Sequence, residues 1–241
     1  MPWKWYDSTL IDIEQIGPQT KVFRLEIGGK EPWTFTAGQF ITADLPIHEK
    51  RLRRWRSYSI ANPPDGSRII ELCVVYLEGG LASEYLFNEV TLGSSIRFKG
   101  PSGTFVLPEK LQSETIMVCT GTGVAPFRSM LLDLKRRGEF GQPVHLIFGT
   151  RNRENILYRE EFQNLAKEEK NFTYSIALSR ERDWAGWKGY VHQIYMSAYS
   201  SPQPNRIFYL CGWSMMIDEA VNNLWQELGY ERSQIKYELY G

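Results

Sequence analysis

The stretch Arg53-Arg54-Trp55-Arg56-Ser57-Tyr58-Ser59-Ile60-Ala61-Asn62-Pro63-Pro64 sets the reading of the whole chain. An arginine, an aromatic ring and hydroxyls alternate along it until Asn62-Pro63-Pro64 ends the run. Alternation at period 2 makes it a strand, with Arg56, Tyr58 and Ile60 on one face and Ser57, Ser59 and Ala61 on the other. The donor fork of a guanidinium matches phosphate oxygens. A tyrosine ring stacks on a flat heterocycle, and a serine hydroxyl hydrogen-bonds to a ring nitrogen. That combination suits a flavin dinucleotide. Taken alone, the same residues also describe an ordinary strand with a surface arginine and a half-buried tyrosine.

Working outward, residues 1–110 read as short strands between Gly/Pro turns. Val22–Ile27 alternates before Gly28-Gly29, Phe40–Leu45 follows Ala37-Gly38-Gln39, and Ile69–Tyr76 is a third run. Ser95–Lys99 is another, closed by Gly100-Pro101-Ser102-Gly103. This pattern predicts an antiparallel barrel or sandwich. One interruption, Gly79-Gly80-Leu81-Ala82-Ser83-Glu84, reads as a loop leading into a short helix. A helix N-terminus with a serine beside it is a natural phosphate seat. The alternative is that Ser83 caps the helix and the glycines turn the chain.

From about residue 112 the rhythm changes to strand, helix, strand. Thr115–Val118 runs into Cys119-Thr120-Gly121-Thr122-Gly123-Val124-Ala125-Pro126, then an amphipathic helix to Arg137 stopped by Gly138. Val144–Phe148, Phe172–Leu178, Ile207–Leu210 and Ile235–Tyr240 read as strands, with helices from Tyr158, near Val191 and over Met215–Leu228. Cys211-Gly212-Trp213 is expected to break its strand. The alternation predicts a doubly wound parallel α/β sheet. The chain is therefore read as two domains, 1–110 and 111–241, with the boundary at Pro108–Glu114.

Bulk composition narrows the class. The formal net charge is zero, so nothing global points to nucleic acid or an anionic membrane. Lys50, Arg51, Arg53, Arg54 and Arg56 nevertheless cluster, facing either an acidic partner, cofactor phosphates or solvent. The three cysteines, Cys73, Cys119 and Cys211, fit no zinc, iron–sulfur or disulfide spacing, so no metal is expected. No apolar run reaches the length of a membrane span, and the opening Met-Pro-Trp-Lys-Trp lacks a secretory core. A cytoplasmic location is expected.

Gly121-Thr122-Gly123 lies between a strand and a helix, where glycines admit a pyrophosphate and the helix dipole favours its charge. Pro126 stands where the dinucleotide fingerprint has its third glycine, and Gly149-Thr150-Arg151 offers no acid for a ribose, so the ordinary Rossmann reading is weakened. Cys211 falls at the carboxyl end of a parallel strand, either touching a bound ring or serving as a small buried hydrophobe.

The set RSYSIA, GGLAS, GPSGTF, CTGTGVAPF, LSRE, LCGW and a terminal ELYG occurs in that order across almost the whole chain. It resembles the ferredoxin–NADP(+) reductase superfamily, an FAD-binding β-barrel followed by a pyridine-nucleotide domain. The resemblance implies that Arg56 pairs with the FAD pyrophosphate, Tyr58 lies against the isoalloxazine and Ser59 bonds near its reactive nitrogen, with Ser57 in the same contact set. Gly80, Ala82 and Ser83 would hold the pyrophosphate. Gly121, Thr122, Gly123 and Pro126 would receive the nicotinamide dinucleotide. Cys211 would adjoin the nicotinamide, Glu238 would orient or protonate around the ring pair, and Tyr240 would cover the other flavin face. The residue after Tyr240, Gly241, departs from a family motif that ends at the tyrosine. Ser179 and Arg180 resemble a 2′-phosphate grip, which favours NADPH; the run Asp183–Tyr190 resembles NADH-using oxygenase reductases.

The expected function is transfer of electrons from NADPH through FAD to a separate one-electron acceptor, a ferredoxin or flavodoxin docking near Arg51, Arg53 and Arg54. A monomer is expected. The alternatives are an NADH-dependent reductase component of a multicomponent oxygenase and a non-catalytic flavin-binding subunit; FMN in place of FAD is a further variant.

Overall fold

The computed structural model describes residues 4–240. Met1–Trp3 and Gly241, with the readings placed on them, lie outside the described residues. The chain forms two compact units. The first comprises the described residues up to Val106 together with Ala125–Asp133, and the second Leu107–Val124 with the residues from Leu134 on.

The first unit is a six-stranded antiparallel sheet built from β1 (Trp5–Gly17), β2 (Thr20–Ile27), β3 (Phe40–Asp44), β4 (Trp55–Ser59), β5 (Ile69–Val75) and β6 (Ser95–Ser102). The strand order is β4-β3-β6-β1-β2-β5. An antiparallel bridge from Ile60 to Leu72 joins the two outer strands, which closes the sheet into a barrel. Leu10, Phe23, Leu25, Ile41, Ile60, Leu72 and Phe98 fill its interior, and the helix α1 (Leu81–Asn88) adds Ala82 and Leu86.

Two differences from the sequence reading concern strands. The long strand β1 was not among those expected. Its register shifts between Leu10 and Asp12, so its inward set passes from Tyr6, Ser8 and Leu10 to Ile13 and breaks the period-2 pattern. Strand β6 does not stop before Gly100 but continues to Ser102, because Phe40 of β3 pairs with Ser102.

The second unit is a six-stranded parallel sheet of order β10-β9-β8-β7-β11-β12. Its strands are β7 (Glu114–Thr120), β8 (Val144–Thr150), β9 (Phe172–Leu178), β10 (Trp187–Lys188), β11 (Arg206–Trp213) and β12 (Ile235–Tyr240). Its helices are α3 (Arg159–Glu168), α4 (His192–Ala198) and α5 (Ser214–Asn222); α2 (Val124–Arg137) follows β7, with its Ala125–Asp133 stretch counted in the first unit. Ile116, Val118, Ile147, Phe208 and Leu210 point to one face and pack on Ile194 and Tyr195 of α4 and Ile217 and Ala220 of α5. On the other, Phe162 of α3 meets the Tyr174 ring at 5.4 Å.

Helix α2 ends as read: Gly138 adopts φ 67 and its N–H reaches the Leu134 and Lys135 carbonyls, a left-handed closure that glycine makes without strain. The expected helix over Met215–Leu228 is shorter, α5 giving way at Asn223–Glu227 to a wider π turn. Among the described residues no helix is long and apolar enough to cross a membrane, and no cluster of three or more metal-ligating side chains occurs.

Candidate functional site

Strand β4 presents its side chains in a way the alternation only half describes. Tyr58 pairs with Ile41 and Arg56 with Ala43, both fully buried partners, so Arg56 and Tyr58 share the inward face. Tyr58 packs on the barrel core, and burial pushes its phenol up to about 12 against the opposing pull of the Arg56 charge. The ring is therefore neutral at any physiological pH. The Arg56 guanidinium rests on the Arg53 and Trp55 carbonyls at 3.0 and 2.8 Å. The two serines part company: Ser57 is exposed with its hydroxyl 3.2 Å from that of Thr42, whereas Ser59 is 4% exposed. Ser59 is the last residue of β4, next to the Ile60–Leu72 bridge.

At the start of α1 no side chain caps the helix. Ser83 is buried, and its hydroxyl accepts the Leu77 N–H at 3.0 Å and lies 2.9 Å from the Leu77 carbonyl and 3.0 Å from the Gly80 carbonyl. The hydroxyl thus closes the Leu77–Ser83 loop rather than capping the helix, which was the alternative reading of Ser83. The donors open to an anion are the first-turn N–H groups, which have no intrahelical acceptor. A Cβ on Gly80 would stand 2.9 Å from both Leu77 O and Ser83 Oγ, so this tight cradle requires glycine.

In the second unit the strand order reverses at β7, which has β8 on one side and β11 on the other. Ligands of open α/β sheets bind beyond the carboxyl ends of the strands at such a switch. There β7 runs into the turn Gly121–Gly123, uncapped by any side chain, and then into α2 with Pro126 in its first turn. Gly123 packs directly on β11: a Cβ there would meet Cys211 O at 2.4 Å and Gly212 Cα at 2.7 Å.

Cys211-Gly212-Trp213 does not break its strand. β11 continues to Trp213 because β12 pairs with it throughout, Cys211 with Glu238, Gly212 with Leu239 and Trp213 with Tyr240. The pairing brings three of the expected residues together. The Cys211 thiol is fully buried and held well above its ordinary pKa, first by burial and then by the Glu238 charge, with a Tyr240 hydrogen bond acting the other way. Cys211 is accordingly a neutral thiol and no thiolate nucleophile. Its neighbour across β7, Cys119, is equally buried and raised.

Ser179 and Arg180 follow β9, tied by their N–H groups to the Thr150 and Arg151 carbonyls at 3.0 and 2.8 Å. Arg180 is exposed at the carboxyl edge of the sheet beside Arg151. Thr120 is a residue the sequence reading passed over. Its hydroxyl accepts the Trp213 N–H at 3.4 Å and would lie 2.6 Å from a Cβ on Gly212, so it sets the wall of the switch point. Its place before Gly121 was the only available signal.

An oxidoreductase FAD-binding domain matches residues 7–107, and an oxidoreductase NAD-binding domain matches residues 117–222. Ferredoxin–NADP reductase B of Sorangium cellulosum is 33% identical over 241 residues, covering 98% of this chain and 97% of that protein. The phenol hydroxylase P5 protein of Acinetobacter pittii is 32% identical over 230 residues; the match takes 94% of this chain but 63% of that longer protein. Among solved structures, a ferredoxin NADP+ reductase from Neisseria gonorrhoeae with bound FAD and NADP superposes with a TM-score of 0.80 at 24% identity, covering 98% of both chains. The Amycolatopsis cytochrome P450 reductase GcoB gives a TM-score of 0.87 at 26% identity, with 99% of this chain and 70% of that one covered. With an FAD-binding domain followed by an NAD-binding domain, and a relative matched over nearly its full length, the chain belongs to the ferredoxin–NADP(+) reductase superfamily.

Proposed function

We propose that the protein is an FAD-dependent NAD(P)H oxidoreductase that passes electrons from NADPH to a separate one-electron acceptor of ferredoxin or flavodoxin type. Residues 1–110 hold the flavin and 111–241 the nucleotide. The observation that carries this reading is the pair of glycine cradles, Gly80 before α1 and Gly123 against β11. Each packs too tightly on its own chain for a side chain and precedes a helical turn whose first N–H groups no side chain caps, which supports a phosphate seat at that turn.

FAD and NADPH supply hydride transfer and one-electron release; the chain supplies binding, orientation and a polar surround. Arg56 binds the flavin pyrophosphate, with Gly80, Ala82 and Ser83 forming the seat beside it. Tyr58 presents a neutral ring to the isoalloxazine, Ser57 lines the same strand, and Ser59 directs a hydroxyl to the flavin's reactive nitrogen. Gly121, Thr122, Gly123 and Pro126 receive the nucleotide. Cys211, as a neutral thiol, gives the nicotinamide a soft apolar neighbour. Glu238 orients it, and Tyr240 covers the flavin's second face.

Ser179 and Arg180 grip the 2′-phosphate of NADPH. The exposed Arg180 guanidinium suits a phosphomonoester. The similarity to the phenol hydroxylase P5 protein favours a second reading, an NADH-using oxygenase reductase component. The acceptor docks on the turn Arg51–Arg53, exposed and basic; Arg54 is paired with Asp44 at 2.8 Å and adds less charge. We take the protein to be a cytoplasmic monomer.

Anaerobic titration of the flavin-loaded protein tests the reading. Flavin absorbance that bleaches faster with NADPH than with NADH supports it, and R180E should reverse the preference. Faster bleaching with NADH moves the protein to the oxygenase-reductase branch. No bleaching with either nucleotide leaves a flavin-binding subunit. Charge reversal at Arg51 and Arg53 should slow acceptor reduction and leave flavin reduction by NADPH unchanged; equal loss in both half-reactions rejects the docking assignment.

A further inference from the structure

The residues that follow the nucleotide turn, Phe127-Arg128-Ser129, have no part in the mechanism above, yet two of them make buried polar contacts to the end of the flavin strand. Ser129 is fully buried and donates its hydroxyl to the Asn62 carbonyl at 2.7 Å. Arg128 donates to the Ala61 carbonyl at 3.0 Å and to Glu71 Oε2 at 2.6 Å, with side-chain exposures of 13% and 14% for Arg128 and Glu71. Asn62 is held in turn: its Oδ1 accepts the Glu71 N–H at 2.8 Å and its Nδ2 donates to the Ile69 carbonyl at 2.9 Å. The Ala61 N–H reaches the Glu71 carbonyl at 2.8 Å. Glu71 is shared with Arg24, whose Nε lies 2.9 Å from Oε1 and whose other nitrogens bind Asp12 and Glu14.

Ala61 and Asn62 are the residues at which β4 has already ended, so no continuing ladder holds their carbonyls. Beyond the Ala61 N–H and the Asn62 side chain, which bond to Glu71 and Ile69, it is these two carbonyls that Arg128 and Ser129 hold. Buried charge-assisted bonds are short, directional and costly to leave half made. They restrain position more sharply than apolar packing does.

We propose that Arg128 and Ser129 are positioning residues for the flavin. They clamp the Ala61 and Asn62 carbonyls and thereby set where Tyr58 and Ser59 present their ring and hydroxyl. The proposal rests on the reading of β4 as the flavin strand.

The test uses the full chain stripped of flavin and titrated with FAD, followed by quenching of flavin fluorescence, with the visible spectrum recorded at saturation. R128M and S129A should each weaken FAD binding about tenfold and shift the flavin absorption bands, and R128K should recover part of the loss. R24M is the control, since it breaks the same charge network away from residues 56–62. It should lower the melting temperature and leave FAD affinity and spectrum within twofold of the parent. If R128M does not fold, S129A, which removes a single hydroxyl, carries the test. R128M and S129A that lose thermal stability as R24M does, with FAD affinity and spectrum unchanged, overturn the proposal. A parent protein that binds no FAD overturns the flavoenzyme reading itself.

Discussion

Substituting Gly123 by alanine separates packing from backbone conformation at the switch point. Gly123 has φ −60 and ψ −8, which alanine adopts freely, so no conformational strain arises. The added methyl would meet Cys211 O at 2.4 Å, Cys211 C at 2.6 Å and Gly212 Cα at 2.7 Å, all main-chain atoms. Real Cβ contacts essentially never fall under 3.0 Å and become ordinary at 3.4 Å, so the turn and β11 must part by well over half an ångström. Neither wall yields easily, because β11 is held on both sides by β7 and β12. Overpacking of this kind costs about 3 kcal/mol, the upper part of its usual range.

Gly121 is the matched control. It has φ +53 with nothing within 4 Å of a Cβ, so for folding G121A meets only the left-handed penalty, about 1 kcal/mol, and it serves as the control for stability alone. Urea unfolding of both variants, with nucleotide affinity measured by flavin bleaching, checks the contrast. G123A should lose about 3 kcal/mol and bind nucleotide at least about tenfold more weakly, with G121A losing only about 1 kcal/mol of stability. A G123A protein within about 0.5 kcal/mol of the parent and with unchanged nucleotide affinity would refute the reasoning.

Three further outcomes follow from the geometry. His145 is half-buried between Tyr199 Oη at 2.6 Å and Ser175 Oγ at 2.8 Å, and desolvation lowers its pKa from 6.5 to about 4. Because the unfolded chain takes up the proton first, stability is full above pH 6.5 and falls by about 3 kcal/mol as pH drops toward 4; urea midpoints across that range should show the slope, and H145Q should flatten it. Cys119 and Cys211, buried and raised, should resist iodoacetamide at pH 7.5 in the folded protein and label on unfolding, so rapid native labelling would contradict their burial. S83A removes the hydroxyl that closes the Leu77–Gly80 loop and should cost about 1–2 kcal/mol along with FAD affinity; a change in neither would show that the loop holds itself.

Much was legible in the chain because it depends on local chemistry. Alternation and Gly/Pro punctuation marked the antiparallel strands, and the 3.6-residue rhythm marked the helices of the second half. Gly138 announced the end of α2 because only a residue free of Cβ strain takes its φ of 67. Family-like motifs marked the glycines at tight turns, since close backbone packing such as that of Gly123 on β11 leaves no room for a side chain. The sequence-stretch from Arg56 to Ile60 was read as a strand for the same local reason.

Tertiary structure decided what depends on a partner far along the chain. Strand β1 hid behind its bulge, because a register shift reverses which residues face inward. β6 and β11 outlast their glycines because β3 and β12 supply ladder partners that outweigh the local preference to turn. Ser57 and Ser59 look alike in sequence, yet the fold buries Ser59, next to the Ile60–Leu72 bridge, and leaves Ser57 exposed. The Arg128–Glu71 and Ser129–Asn62 contacts join residues 57 and 67 positions apart. No periodicity carries such a pairing; it exists only once the barrel has closed and α2 has packed with it.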